Sequence, residues 1–163
     1  MKEIIEKIKE LTANDLKHKT KEELFLSLIE EIGELSKEIL IAEKVYGNTY
    51  KKPDEGPTGE TVDLSICAIA MQFATENRDL EQWEMDKITF HNSFYSTTNP
   101  IYIINMIAEL LNPNENNYLK IASLSCAIHY YYSEDKHNSK QEFINYCNKK
   151  LDKWIEKTNI KKD

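Results

Sequence analysis

Between residues 24 and 42 apolar side chains recur at intervals of 4, 3, 4, 4 and 3, the spacing of one buried face of an α-helix, and one slot of that stripe holds a glutamate. The stripe is Leu24, Leu28, Glu31, Leu35, Ile39 and Ala42. A second stripe, Ile66, Ala70 and Phe73, continues toward the N-terminus into Asp63 and Glu60. Glu31 with Glu34, and Glu60 with Asp63, are spaced i and i+3, so each pair shares a helix face. If the two stripes face one another, four carboxylates meet inside a helical bundle. Partial burial costs a carboxylate several kcal/mol of hydration, and each close like-charge pair adds about 4 kcal/mol at an effective dielectric of about 20. No arginine lies near either pair, so a cation from outside the chain is expected there. All-oxygen ligation favours Mg²⁺ or Mn²⁺ over zinc.

Four glycines and four prolines in 163 residues leave little room for strands and tight turns, so the expected fold is all-α, a helical bundle in one domain spanning residues 1–163. Three of those glycines and two of the prolines fall between Gly47 and Gly59, which reads as a loop joining the two acidic helices. The helices are expected at residues 2–12, 21–46, 60–76, 80–90, 102–111, 118–132 and 140–157. Thr20 and Glu23 form a capping box for the second, and Thr58 is the expected N-cap of the third. In the fourth, Trp83 and Ile88 read as core residues. Lys51 and Lys52, in the loop, either reach an anionic ligand at the carboxylates or stand as solvated lysines.

A net charge of −7 and a single arginine, Arg78, argue against a broad nucleic-acid-binding face. No apolar run approaches the ~20 residues of a membrane span, and Met1 to Lys7 lacks the apolar core of a signal peptide, so a cytoplasmic protein is expected. Cys67, Cys126 and Cys147 form no C-x-x-C pair and read as reduced, buried thiols. Residues 63–73 echo residues 122–132 at a constant offset, with Asp63 falling on Ala122 and Glu60 on Leu119. This is either a degenerate internal helix-pair repeat, with residues 20–77 bearing the motifs and 100–157 the decayed copy, or a chance likeness between Ala- and Ile-rich helices.

Glu30-Glu31-x-x-Glu34 on one helix and Glu60-x-x-Asp63 on the next resemble the signature of the MazG-like all-α nucleoside triphosphate pyrophosphatases, over about residues 20–77. The resemblance implies Mg²⁺-dependent hydrolysis of a nucleoside triphosphate to a nucleoside monophosphate and pyrophosphate by activated water. It implies Glu31, Glu34, Glu60 and Asp63 as metal ligands, with Glu30 binding a further metal or helping to take the water's proton. Lys87 and Asn92 are the nearest counterparts of the lysine and asparagine that relatives use around the phosphates or base. The tandem look is similar to the dimeric dUTPase branch, and relatives assemble as dimers or tetramers, so a homo-oligomer is expected.

Other chemistries fit less well. A di-iron bundle needs E-x-x-H twice, and only Glu134-x-x-His137 is present. No G-x-x-x-x-G-K phosphate loop occurs. Cys126 and His129 lie one turn apart without an evident orienting acid. The principal alternative is a non-catalytic helical interaction protein that keeps the fold without the reaction.

Overall fold

The computed structural model describes residues 1–45, 47–48, 55–90 and 98–160, without the side chains of residues 89–90 and 158–160. Among them are seven helices and no strand: α1 (Lys2–Asp15), α2 (Lys21–Ala42), α3 (Gly56–Glu76), α4 (Gln82–Phe90), α5 (Pro100–Glu109), α6 (Tyr118–Tyr132) and α7 (Ser139–Ile160). No helix among the described residues is long and apolar enough to cross a membrane.

Local chemistry explains most of the boundaries. Thr20 caps α2 as expected: its hydroxyl accepts from the Glu23 N–H while the Glu23 carboxylate accepts from the Thr20 N–H. The other end of α2 departs from expectation, stopping at Ala42 rather than running to residue 46. Lys44 takes a left-handed φ of 51°, and its N–H bonds back to the Ile41 carbonyl while that of Val45 bonds to Leu40. This is a Schellman closure with lysine where glycine is usual, so no glycine marks the stop. The start of α3 also differs, because Glu55 rather than Thr58 is its N-cap. Gly56 at φ 75° turns the chain, and the fixed φ of Pro57 suits the first helical turn. Pro57 therefore opens the helix instead of belonging to the loop, and Glu60 lies beyond the reach of the helix dipole. In the same way the Asn99 side chain accepts from the Ile101 N–H and Pro100 begins α5, two residues ahead of the expected position.

α3 is the central helix. From Val62 to Phe73 every residue is buried except Asp63 and Cys67, one turn apart, which are half-buried. α2 packs along one side of α3 and α6 along another, these being the two most extensive helix contacts. Both run antiparallel to α3. For α6 the order is clear from its polar ties: His129 Nδ1 lies 3.1 Å from Thr61 Oγ1, the Ser125 hydroxyl donates to the Thr61 carbonyl at 2.7 Å, and Asn116 at the far end donates to Glu76. α4 covers α6, α5 sits against α2 and α6, and α1 and α7 close the remaining side of α3. One apolar core takes in all seven helices, from Ile4 and Ile8 through Leu28, Leu35, Leu64, Ile88, Ile103 and Ile121 to Leu151. Each such fully buried Leu or Ile contributes about 1.5–3 kcal/mol of burial free energy.

Two expectations for α2 and α4 need correction. Ala42 ends the α2 stripe exposed, since the helix closes there, while Leu24, Leu28, Leu35 and Ile39 are buried as expected. Ile88 is core, but Trp83 is 52% exposed. The Trp83 indole N–H donates to Glu81, and the Lys87 ammonium lies 4.3 Å from the ring centroid. Arg78 serves the fold, since its guanidinium forks onto the buried Glu84 at 2.6 and 2.7 Å and fixes the turn from α3 into α4. Residues 63–73 and 122–132 lie on two helices packed against each other, and Ala122, opposite number of Asp63, is fully buried.

Candidate metal centre

The half-buried edge of α3 and the interrupted stripe of α2 meet across their antiparallel contact. Carboxylate oxygens of Glu31, Glu60 and Asp63 all lie within 4.8 Å of one another. Glu60 is 7% exposed, and one oxygen of Glu31, Oε2, is buried with no hydrogen-bond partner. Burial, together with the charges of Asp63, Glu34, Glu60 and Glu30, pushes the Glu31 carboxyl up to about 8. Burial and the charges of Asp63 and Glu34 push Glu60 up to about 7. Asp63 is raised by burial as well, although a hydrogen bond from Lys150 pulls it back. The three groups therefore resist ionising together at neutral pH, the signature of anionic sites forced close in a low dielectric.

Of the four acids expected as metal ligands, Glu31, Glu60 and Asp63 converge. Glu34 is exposed and lines the cleft beside them, near enough to raise the pKa of both glutamates. Glu30 is exposed on α2 and does not line the cleft, though its charge also acts on Glu31. A further carboxylate here is Glu38, one turn beyond Glu34, buried and 3.9 Å from the Lys37 ammonium. It lines a small hollow of about 170 Å³ together with Glu34, Glu60 and Asp63.

Sequence reasoning missed the cationic side of the site. Lys150, from α7, donates to both Asp63 and Glu55. Burial alone would depress its ammonium, but those two hydrogen bonds outweigh burial and raise it. Glu55 is held below the usual carboxylate range by the same contact. Gly59 permits this arrangement, because a Cβ there would come within 3.0 Å of the Glu55 Cβ. A cleft of about 450 Å³ opens over the cluster. Glu31, Glu34 and Asp63 line one side, Lys150, Lys153, Trp154 and Lys157 of α7 another, and Asp15 with Lys19 also border it. Lys150, Lys153 and Lys157 repeat at helical spacing, but such a row is what any solvated helix face looks like, so nothing local singled it out.

The expected phosphate-binding residues fare differently. Lys87 is exposed on α4, stacked on Trp83, and does not line the cleft. Lys51, Lys52 and Asn92 lie outside the described residues. Cys67 lines the cleft, with its thiol pushed up by burial and by the charges of Glu31 and Asp63. Cys126 and Cys147 are buried and unbridged. His129 is buried and bonded through Nδ1 to Thr61 or the Thr58 carbonyl; its partner is not Cys126, whose sulfur sits 3.8 Å from the Ser65 hydroxyl. His18, Glu134 and His137 are exposed, which leaves no second half of a di-iron set among the described residues.

Comparison with protein families, with curated proteins and with solved structures returns no match.

The donor set fits a hard divalent cation: three convergent carboxylates, all-oxygen, one carrying a buried oxygen with nothing to bond. Zinc is disfavoured by the same chemistry, since the three converging ligands are all oxygen and the Cys67 thiol that lines the cleft is pushed up by burial.

Proposed function

We propose that the protein hydrolyses a nucleoside triphosphate to a nucleoside monophosphate and pyrophosphate, with Mg²⁺ or Mn²⁺ held by Glu31, Glu60 and Asp63. The observation that carries this reading is the partnerless Oε2 of Glu31 within a three-carboxylate cluster that opens on a cleft edged with lysines. A divalent cation bound there supplies a water of lowered pKa and neutralises phosphate charge. The chain does the rest. Glu31, Glu60 and Asp63 present their oxygens from two rigid helices, which fixes their separation. Glu34, which lines the cleft, takes up the proton that the attacking water gives up. Lys150 holds Asp63 in place and offers its ammonium to an anionic substrate. No nucleophilic side chain is needed, and the thiols, raised by burial, take no part.

The test is pyrophosphate release from a panel of standard and modified nucleoside triphosphates, with Mg²⁺, Mn²⁺ or chelator. Metal-dependent release of monophosphate and pyrophosphate in equal amounts is expected, abolished in Glu31→Gln and Asp63→Asn while the helical fold persists. Absence of release from every triphosphate by well-folded protein overturns the reading. Assembly as dimers or tetramers is a separate proposal, supported by Leu26 and Ile29 exposed on α2, and light scattering reads it out.

A further inference from the structure

The α7 side of the cleft carries more than a counter-charge. Lys150, Lys153, Trp154 and Lys157 stand at i, i+3, i+4 and i+7, one face of the helix, and all four line the cleft. Over those residues the helix rises about 10.5 Å. Lys150, at the end nearest the carboxylates, gives two of its three ammonium hydrogens to Asp63 and Glu55. Lys153 is exposed, makes no ion pair with a described residue, and is close enough to lower the pKa of Glu55 and to act on Asp63. Trp154 is half-buried beside it.

A row of ammonium groups along one helix face favours an anion with several charges, and an indole within the row favours a planar ring laid against it. A cleft of about 450 Å³ is within the size of small-molecule sites, about 300–1,000 Å³. One class of compound has both parts, a charged chain at one end and an aromatic ring at the other. Resting on the nucleotide reading of the same cleft, we propose that α7 is its recognition wall. Lys150 and Lys153 bind the phosphate chain where it meets the carboxylates, and Trp154 stacks on the base. The base then lies along α7, one turn beyond the reacting phosphate.

The two tryptophans make this testable by fluorescence, since Trp83 is on α4 and outside the cleft. In a Trp83→Phe background, Mg²⁺ with a non-hydrolysable α,β-methylene nucleoside triphosphate is expected to quench Trp154 saturably, whereas Mg²⁺ with inorganic tripolyphosphate binds with little quenching. Trp154→Ala weakens the nucleotide analogue about tenfold or more and leaves tripolyphosphate within about twofold, and Trp154→Phe recovers most of the loss. Lys153→Gln weakens both ligands and flattens the salt dependence of binding. Analogue binding without quenching, an unchanged affinity in Trp154→Ala, or equal loss of tripolyphosphate in that variant overturns the proposal. Pyrophosphate release is followed in parallel. Turnover with an unchanged KM in Trp154→Ala removes this inference and leaves the reaction standing, while quenching and selective loss without any turnover keep the inference and remove the reaction.

Discussion

Lys150 donates to Asp63 from 87 positions away, joining the last helix to the central one at the mouth of the carboxylate cluster. Both side chains are mostly covered, 15% and 22% exposed. Removing one member of such a pair leaves the other charge buried and unanswered, which costs more than the pair was worth. Lys150→Met is expected to destabilise the protein by about 1–3 kcal/mol, lowering Tm by roughly 2–10 °C. Adding Asp63→Asn is expected to restore much of that loss. A double-mutant cycle by thermal melting measures the coupling, and additive losses would show that the contact contributes nothing.

Glu31 gives the opposite sign. Its carboxyl titrates near 8 in the folded protein against 4.5 in the unfolded chain, so the native state binds the extra proton between those values and stability falls as pH rises from about 4.5 to 8. Glu31→Gln removes this liability. Without divalent metal, the variant is expected to melt higher than the parent at pH 8 by roughly 2–6 °C, and by less at pH 5. A variant that melts lower at pH 8 than the parent would mean that Glu31 is not under electrostatic stress.

The same protons govern metal binding. At pH 7 a cation entering between Glu31 and Glu60, which titrate near 8 and 7, must displace them. Calorimetry in buffers of different ionisation enthalpy is expected to show release of about one to two protons per Mg²⁺ at pH 7. Affinity should weaken steadily below that pH, and the rise in Tm with Mg²⁺ should shrink with it. Binding that releases no protons would place the ion elsewhere.

His129 supplies the acid limb. Burial lowers its pKa below the ordinary 6.5, so the unfolded chain binds a proton that the native state refuses. Its contribution to stability is intact above about 6.5 and is lost as pH falls toward the folded pKa. The nearest carboxylate oxygen, on Glu142, is 4.0 Å from Nε2 and too far to bond it. His129→Gln is expected to flatten the dependence of Tm on pH between about 6.5 and 5, at a constant cost from the altered bond to Thr61. An unchanged acid slope would assign it to other groups.

Periodicity sufficed for the helices because an amphipathic stripe is a local property. The buried Leu24, Leu28, Leu35 and Ile39 of α2 and the capping box at Thr20 follow from spacing alone. It failed at ends set by backbone closure, where Lys44 adopts the glycine conformation and Pro57 opens α3 rather than breaking it. It failed too at Trp83, because an aromatic side chain on a nine-residue helix is buried only if a neighbour covers it, and among the described residues Trp83 stays 52% exposed.

The acids within the apolar stripes of α2 and α3 could be picked out from the chain alone, since a carboxylate in a core slot contradicts its surroundings wherever the helices pack. The partners of those acids could not. Lys150 and Trp154 stand in an ordinary amphipathic helix nearly ninety residues beyond Asp63, and only the docking of α7 against α3 turns that face toward the carboxylates. Helix formation depends on neighbours within a turn or two, whereas the charge balance of a cleft depends on which distant surfaces the core brings together.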